Sequence, residues 1–126
     1  MVKEAVLIGL GGATGSILRY FTGQLISKNF PSQIPMGTLV VNLLGCLLIG
    51  ILVGYFSKNQ ISGNEWKLLL GTGFCGGYTT FSAFAIENIN LIQNQQVSQA
   101  LIYIGLSIIL GLLAVWLGLT VVKLFQ

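Results

Sequence analysis

The sequence predicts an all-α membrane protein with four transmembrane helices, the third of which is broken near the middle of the bilayer. Apolar residue types make up 54% of the 126 residues and charged types only 7%, against roughly 25% charged residues in an ordinary soluble domain. Four apolar segments each have the roughly 20 residues that a helix needs to cross the hydrocarbon. The third segment also holds glycine and hydroxyl residues that a plain membrane helix does not need.

The composition excludes several classes of function. The sequence has no histidine, two cysteines and three acidic residues, so it lacks the side chains of most hydrolase triads and zinc sites. Its six basic residues are scattered singly, unlike the clusters that bind nucleic acid. We therefore expect neither an enzyme nor a nucleic-acid partner. Cys46 and Cys75 lie in apolar segments, where cysteine is usually a small buried hydrophobe.

All four spans are expected to belong to one domain, residues 1–126. Their predicted ranges are 5–26, 36–56, 66–86 and 100–122, separated by polar and helix-breaking residues. A signal peptide is the alternative for the first span, but Glu4 and the three later spans argue against it. Lys and Arg are distributed too evenly to fix one orientation. The chain can therefore insert both ways and form an antiparallel homodimer.

The first span contains Arg19 well inside an apolar run. A guanidinium near the bilayer centre costs on the order of 3 kcal/mol or more unless it reaches the interface or finds oxygen partners. Arg19 is therefore either a structural anchor or a group that attracts anions.

Glycines recur at the four-residue spacing that lets two membrane helices approach closely. The pairs are Gly11 with Gly15, Gly50 with Gly54, and Gly73 with Gly77. We expect them at close helix contacts, within one chain or between two.

In the second span, Asn42 is an amide among apolar neighbours and shares a helix face with Thr38, four residues earlier. An unsatisfied buried amide costs a few kcal/mol. Asn42 therefore either joins helices or offers its N–H groups to an anion.

The third span combines the adjacent Gly76 and Gly77 with Thr79 and Thr80, which together make a poor helix interior. A break there would free carbonyl oxygens of the kind that bind alkali cations in membrane proteins. The alternative is an unbroken helix whose threonines bond back to the preceding turn.

Aromatic and hydroxyl groups continue the polar pattern. Phe81 and Phe84 are three residues apart and share one face of the helix after the break. They are either lipid-facing or core residues, or they turn their positive ring edges toward an anion. In the fourth span, Tyr103 and Ser107 form a hydroxyl stripe. The polar groups inside the predicted spans are mostly hydrogen-bond donors, and the carboxylate of Glu87 falls at the end of the third span instead of its middle. The pattern therefore favours an anion over a cation as the permeating ion.

Three stretches of the sequence resemble the small bacterial Fluc (CrcB) fluoride channels. They are residues 12–20 (GATGSILRY), 37–45 (GTLVVNLLG) and 73–84 (GFCGGYTTFSAF). The resemblance covers essentially the whole chain, and the TTFS core of the third stretch is specific to the family. It implies a multi-pass protein of the bacterial cytoplasmic membrane that exports fluoride passively, as an antiparallel dual-topology homodimer with two pores and one central sodium ion.

The resemblance also implies roles for particular residues. The carbonyls of Gly76 and Thr79 would bind the sodium ion, and Arg19 would lie near a vestibule. The residues implied at the fluoride pore are Asn42, Thr80, Phe81, Ser82, Phe84, Tyr103 and Ser107. The next position of the hydroxyl track on the fourth helix is Gly111, which has no donor.

Two other functions are compatible with four short spans. A dual-topology, proton-coupled multidrug exporter would need a titratable carboxylate in the membrane, whereas the first span offers Arg19. A non-conducting subunit that only assembles with partners would carry no ion flux. The polar set around Asn42 and Thr79 favours the channel.

Overall fold

The structure, a computed structural model that describes residues 1–125, is entirely helical apart from its connections and has no strand in that range. In chain order the helices are α1 (Val2–Asn29), α2 (Met36–Lys58), α3 (residues 64–78), α4 (Phe81–Gln93) and α5 (Val97–Phe125). The prediction of an all-α protein is confirmed. The third apolar segment is divided, as expected, into α3 and α4.

Helix α3 changes its hydrogen-bonding pattern along its length. Asn64–Trp66 and Gly76–Tyr78 are α-helical turns, and Lys67–Cys75 between them is a π-helix. The N–H of Gly76 accordingly donates to the carbonyl of Gly71, five residues earlier. π-Helical turns often occur at functional sites, and this one ends one α-helical turn before the break.

The sequence restricts the break to the region of Gly76 to Thr80, and the structure places it at Thr79 and Thr80, whose backbones are extended. Gly77 remains helical and serves packing, because a Cβ there would lie 2.5 Å from the carbonyl oxygen of Gly12 on α1. Residues 87–99, which separate the third and fourth predicted spans, are mostly helical in the structure. Helix α4 continues to Gln93, and only residues 94–96 join it to α5.

Close glycine contacts join α1 to α3 and α2 to α5. A Cβ added at Gly15 would lie 2.2 Å from the carbonyl oxygen of Phe74, and one at Gly50 would lie 2.3 Å from that of Val115. Neither contact leaves room for a side chain. The predicted packing role of these glycines is therefore confirmed within a single chain.

The buried core is small. Leu39, Leu91, Ala100 and Tyr103 form it where α2, α4 and α5 meet, whereas large apolar side chains elsewhere, such as Leu112, are exposed to the surroundings. Within residues 1–125, α2 and α5 are the helices long and apolar enough to cross a membrane. So much exposed apolar surface requires lipid or protein against it, as expected of a membrane protein.

Candidate functional site

The break between α3 and α4 is bound by the side chain of Asn42 on α2. The N–H of Thr80 donates to Asn42 Oδ1 at 2.8 Å, and Asn42 Nδ2 donates to the carbonyl of Thr80 at 3.0 Å. The amide thereby satisfies both main-chain groups of one extended residue. Both roles that the sequence leaves open for Asn42 remain compatible, because its amide nitrogen has a second hydrogen.

The carbonyls of Gly76 and Thr79 lose the donors that an uninterrupted α-helix would give them, namely the N–H groups four residues later. The N–H of Thr80 is bound to Asn42, and the N–H of Ala83 donates to the Thr80 hydroxyl at 3.2 Å. Both carbonyls are therefore available to another partner.

These carbonyls fit the cation that the resemblance implies. Main-chain oxygens at a broken membrane helix are suitable ligands for a hard alkali ion. Among residues 1–125, no group of three or more His, Cys, Asp or Glu side chains is placed to hold a metal. The Thr79 hydroxyl donates to the carbonyl of Cys75 at 2.9 Å, whereas the Thr79 carbonyl is one of the two groups that the break frees.

A cavity of about 490 Å³ lies beside the break. It brings together most of the predicted site residues: Asn42, Gly76, Thr79, Thr80, Phe81, Phe84 and Ser107. The wall therefore combines an amide, hydroxyls, carbonyls and aromatic rings. No Asp or Glu is among the described residues that line it.

Phe81 and Phe84 lie side by side at this cavity, with ring centroids 5.6 Å apart. Their surroundings differ. Phe81 is 78% exposed, whereas Phe84 packs edge-on against Tyr103 at a centroid distance of 5.0 Å. Phe84 is therefore held in position by its neighbour, and Phe81 is free to contact lipid, a second chain or a permeating ion.

Two predicted pore residues lie outside the cavity lining. Tyr103 is fully buried behind Phe84, and its hydroxyl donates to Glu87 Oε1 at 3.0 Å. Ser82 is exposed, with its hydroxyl 3.4 Å from that of Thr80. In this chain, Tyr103 therefore supports the cavity wall instead of presenting its hydroxyl to the cavity.

Sequence comparisons identify the family. The family model described as "CrcB-like protein, Camphor Resistance (CrcB)" matches residues 6–119. The chain belongs to the CrcB family.

Proteins named "Fluoride-specific ion channel FluC" resemble this CrcB chain over nearly its full length. The one from Flavobacterium psychrophilum is 48% identical over 97% of this chain and 98% of its own. The one from Azobacteroides pseudotrichonymphae is 44% identical over 99% and 100%, and the one from Pseudomonas fluorescens Pf0-1 is 42% identical over 98% and 100%. The resemblance found in the sequence motifs is confirmed. The prediction that the protein is not an enzyme is also confirmed, since these relatives are named as ion channels.

Sequence reasoning did not assign a role to Glu87, which connects three helices of the CrcB chain. Thr38 on α2 donates to Glu87 Oε2 at 2.8 Å, and Tyr103 on α5 donates to Oε1 at 3.0 Å. Thr38 and Asn42 share a face of α2, as their spacing predicts. Thr38 binds Glu87 on α4, and Asn42 binds Thr80 at the break. The sequence feature that could have indicated this contact is the four-residue spacing of Thr38 and Asn42, because it places two polar side chains on one helix face, where they need hydrogen-bond partners.

Arg19 lies on another side of the site. It borders a second cavity of about 360 Å³ together with Thr38, Thr80 and Glu87. Thr80 lines both cavities, so Arg19 is near the break without facing the phenylalanine pair. This position fits the predicted vestibule or anchoring role better than direct contact with the Asn42 site.

Proposed function

We propose that this protein is a fluoride-selective channel that lets fluoride leave a bacterial cell passively across the cytoplasmic membrane and so prevents toxicity. The relatives that match nearly the full length of the chain are named as fluoride-specific ion channels. The single structural observation in its favour is the cavity beside the helix break, whose described lining offers N–H and O–H donors and ring edges without a carboxylate.

The lining suits a small, strongly hydrated anion. Such an ion must exchange its water for several donors along its path, and no single site can hold it too tightly if it is to leave. Hydroxyl groups, an amide and ring edges are individually weak donors arranged in series, and the positive edge of an aromatic ring attracts an anion. The absence of an acidic group from the described lining avoids repulsion of the anion.

We further propose a multi-pass arrangement of four spans in an antiparallel, dual-topology homodimer with two pores. α1, at 28 residues, is longer than the roughly 20 residues needed to cross, and α3 with α4 would form the third, broken crossing. The exposed Phe81 ring and the open side of the cavity favour a second copy against this face. The remaining apolar surface would contact lipid.

One sodium ion is proposed at the centre of the dimer, held by the carbonyls of Gly76 and Thr79 from both copies. Two carbonyls from one chain are too few ligands, whereas two copies related by a twofold axis double the number. When bound, the ion supplies a fixed positive charge near the cavity, which lowers the cost of bringing an anion into a low-dielectric environment.

The multidrug exporter loses support on two grounds. The relatives are named as channels, and Glu87 accepts hydrogen bonds from both Thr38 and Tyr103, which favours a structural carboxylate. A non-conducting subunit would not need a cavity lined with donors.

The test is anion efflux from liposomes that contain the purified protein, with a potassium ionophore to dissipate the voltage. We expect rapid fluoride release and little chloride release. Phe81→Ile and Phe84→Ile should each reduce fluoride release about ten-fold or more, equivalent to roughly 1.4 kcal/mol in the barrier, while size-exclusion chromatography still shows a dimer. If folded, dimeric wild-type protein releases no fluoride, the channel proposal is wrong.

A further inference from the structure

Cys46 is a cavity residue outside the set of proposed pore residues. It follows Asn42 by one helical turn on α2 and lines the same cavity beside the break. The facing surface is α5, where Ser107 and Gly111 are likewise one turn apart. A Cβ built on Gly111 would lie 3.7 Å from Cys46 Sγ. The thiol therefore lies against the position where α5 has no side chain.

Ser107 gives an independent indication that this end of the cavity binds a guest. Its Oγ is buried, and no described residue forms a hydrogen bond with it. A buried hydroxyl without a partner is costly, so a ligand or water that accepts its hydrogen would satisfy it. Cys46 and Ser107 thus place a thiol and an unpartnered hydroxyl on two facing walls of one cavity.

We propose that Cys46 lines the fluoride path and that its S–H, together with the Ser107 hydroxyl, acts as a donor to the passing anion. The inference rests on the proposed channel function. A thiol is a weak donor, which meets the requirement that a conduction site release its ion readily. Because Gly111 supplies no side chain, Cys46 contributes the donor at that level from the opposite helix.

The first test replaces the thiol. Cys46→Ala removes the donor with little change in volume and should reduce fluoride efflux about three- to ten-fold, the range expected for one lost hydrogen bond. Cys46→Ser restores a donor and should keep at least half of the wild-type rate. Equal rates for Cys46→Ala and wild type would overturn the proposal, as would a rate for Cys46→Ser as low as that of Cys46→Ala.

The second test asks whether water reaches the thiol in the intact channel. Methyl methanethiosulfonate reacts with thiolates: the cysteine sulfur attacks the sulfenyl sulfur, a mixed disulfide forms, methanesulfinate leaves, and the thiol proton passes to water. Modification replaces the S–H donor by a bulkier S–S–CH3 group. Cys75 lines the same cavity but is buried, whereas Cys46 is partly exposed. We therefore expect the reagent to inhibit fluoride efflux by wild type and by Cys75→Ala, each compared with its own untreated rate, and not by Cys46→Ala.

The outcomes separate this inference from the channel proposal. If untreated wild type releases no fluoride, the channel proposal fails and the role of Cys46 fails with it. If wild type releases fluoride but the reagent leaves Cys75→Ala uninhibited, Cys46 is a buried packing residue and only this inference is overturned. Inhibition of Cys46→Ala to the same extent as wild type would assign the effect to Cys75 and also overturn it.

Discussion

Replacing Asn42 tests whether its side chain holds the helix break in place. Asn42→Leu keeps the approximate size of the side chain but removes both hydrogen bonds to the main chain of Thr80, at 2.8 and 3.0 Å. Hydrogen bonds between membrane helices are worth about 0.6 kcal/mol on average and up to about 1.7 kcal/mol. The two together predict a loss of about 1–3 kcal/mol in the free energy of unfolding.

The assay is unfolding by sodium dodecyl sulfate in mixed micelles, followed by circular dichroism. The protein concentration is held fixed, because the unfolding of the proposed dimer would depend on it. Asn29→Leu is the matched control. The Asn29 amide also bonds a carbonyl, that of Leu25 at 2.8 Å, but on the exposed last turn of α1, so its loss should change the free energy by less than about 0.5 kcal/mol.

Equal stability of Asn42→Leu and Asn29→Leu would refute the reasoning, because the break would then hold without the amide. Asn42→Asp provides a second comparison. Its carboxylate can still accept from the Thr80 N–H but cannot donate to the Thr80 carbonyl, and it adds a negative charge beside the proposed anion path. We expect reduced fluoride efflux, and undiminished efflux would place Asn42 away from that path.

Three further substitutions test the geometry of the site. Gly45→Ala would put a Cβ 2.2 Å from Thr79 Cγ2 and should lower the free energy of unfolding by about 1–3 kcal/mol, whereas Gly105→Ala, with nothing within 4 Å, should not lower it; equal stability would contradict the packing. Thr79→Ser keeps both the main-chain carbonyl and the hydroxyl, so fluoride efflux should keep the sodium dependence that the proposed site predicts for the wild type, and loss of that dependence in the variant alone would argue against carbonyl ligation. Glu87→Met keeps the approximate length of the side chain but removes both acceptor oxygens, so it should lose the hydrogen bonds from Thr38 and Tyr103, destabilising the protein by about 1–3 kcal/mol; an unchanged unfolding curve would show that Glu87 does not join the helices.

Helix content and the approximate ends of three helices could be predicted because they depend on local features. Apolar run length sets the extent of a membrane helix, and Pro35 immediately precedes α2. The region of the helix break could be predicted, but the residues at which the helix opens could not. Gly76 and Gly77 have the weaker helix propensity, yet close packing of Gly77 on α1 keeps that turn helical, and the chain opens at Thr79 and Thr80 instead.

The partners of the polar side chains could not be predicted, because they are distant in sequence. Asn42 and Thr80 are 38 residues apart, and their pairing depends on how α2 docks against the break. Tyr103 and Ser107 are one turn apart on α5, but the Tyr103 hydroxyl donates to Glu87. The predicted third span ends at residue 86, one residue before Glu87. The prediction therefore does not include the continuation of α4 to Gln93, which places the Glu87 carboxylate between α2 and α5.

The most direct test of the account is the reversal potential of the current carried by the purified protein in a planar bilayer, with fluoride on one side and chloride on the other and equal pH on both. A fluoride-selective channel predicts a reversal potential set by the fluoride gradient, unchanged when a pH gradient is then imposed. A potential near zero would show that chloride permeates equally, and a potential that follows the pH gradient would indicate proton-coupled transport. Either result would contradict the central claim.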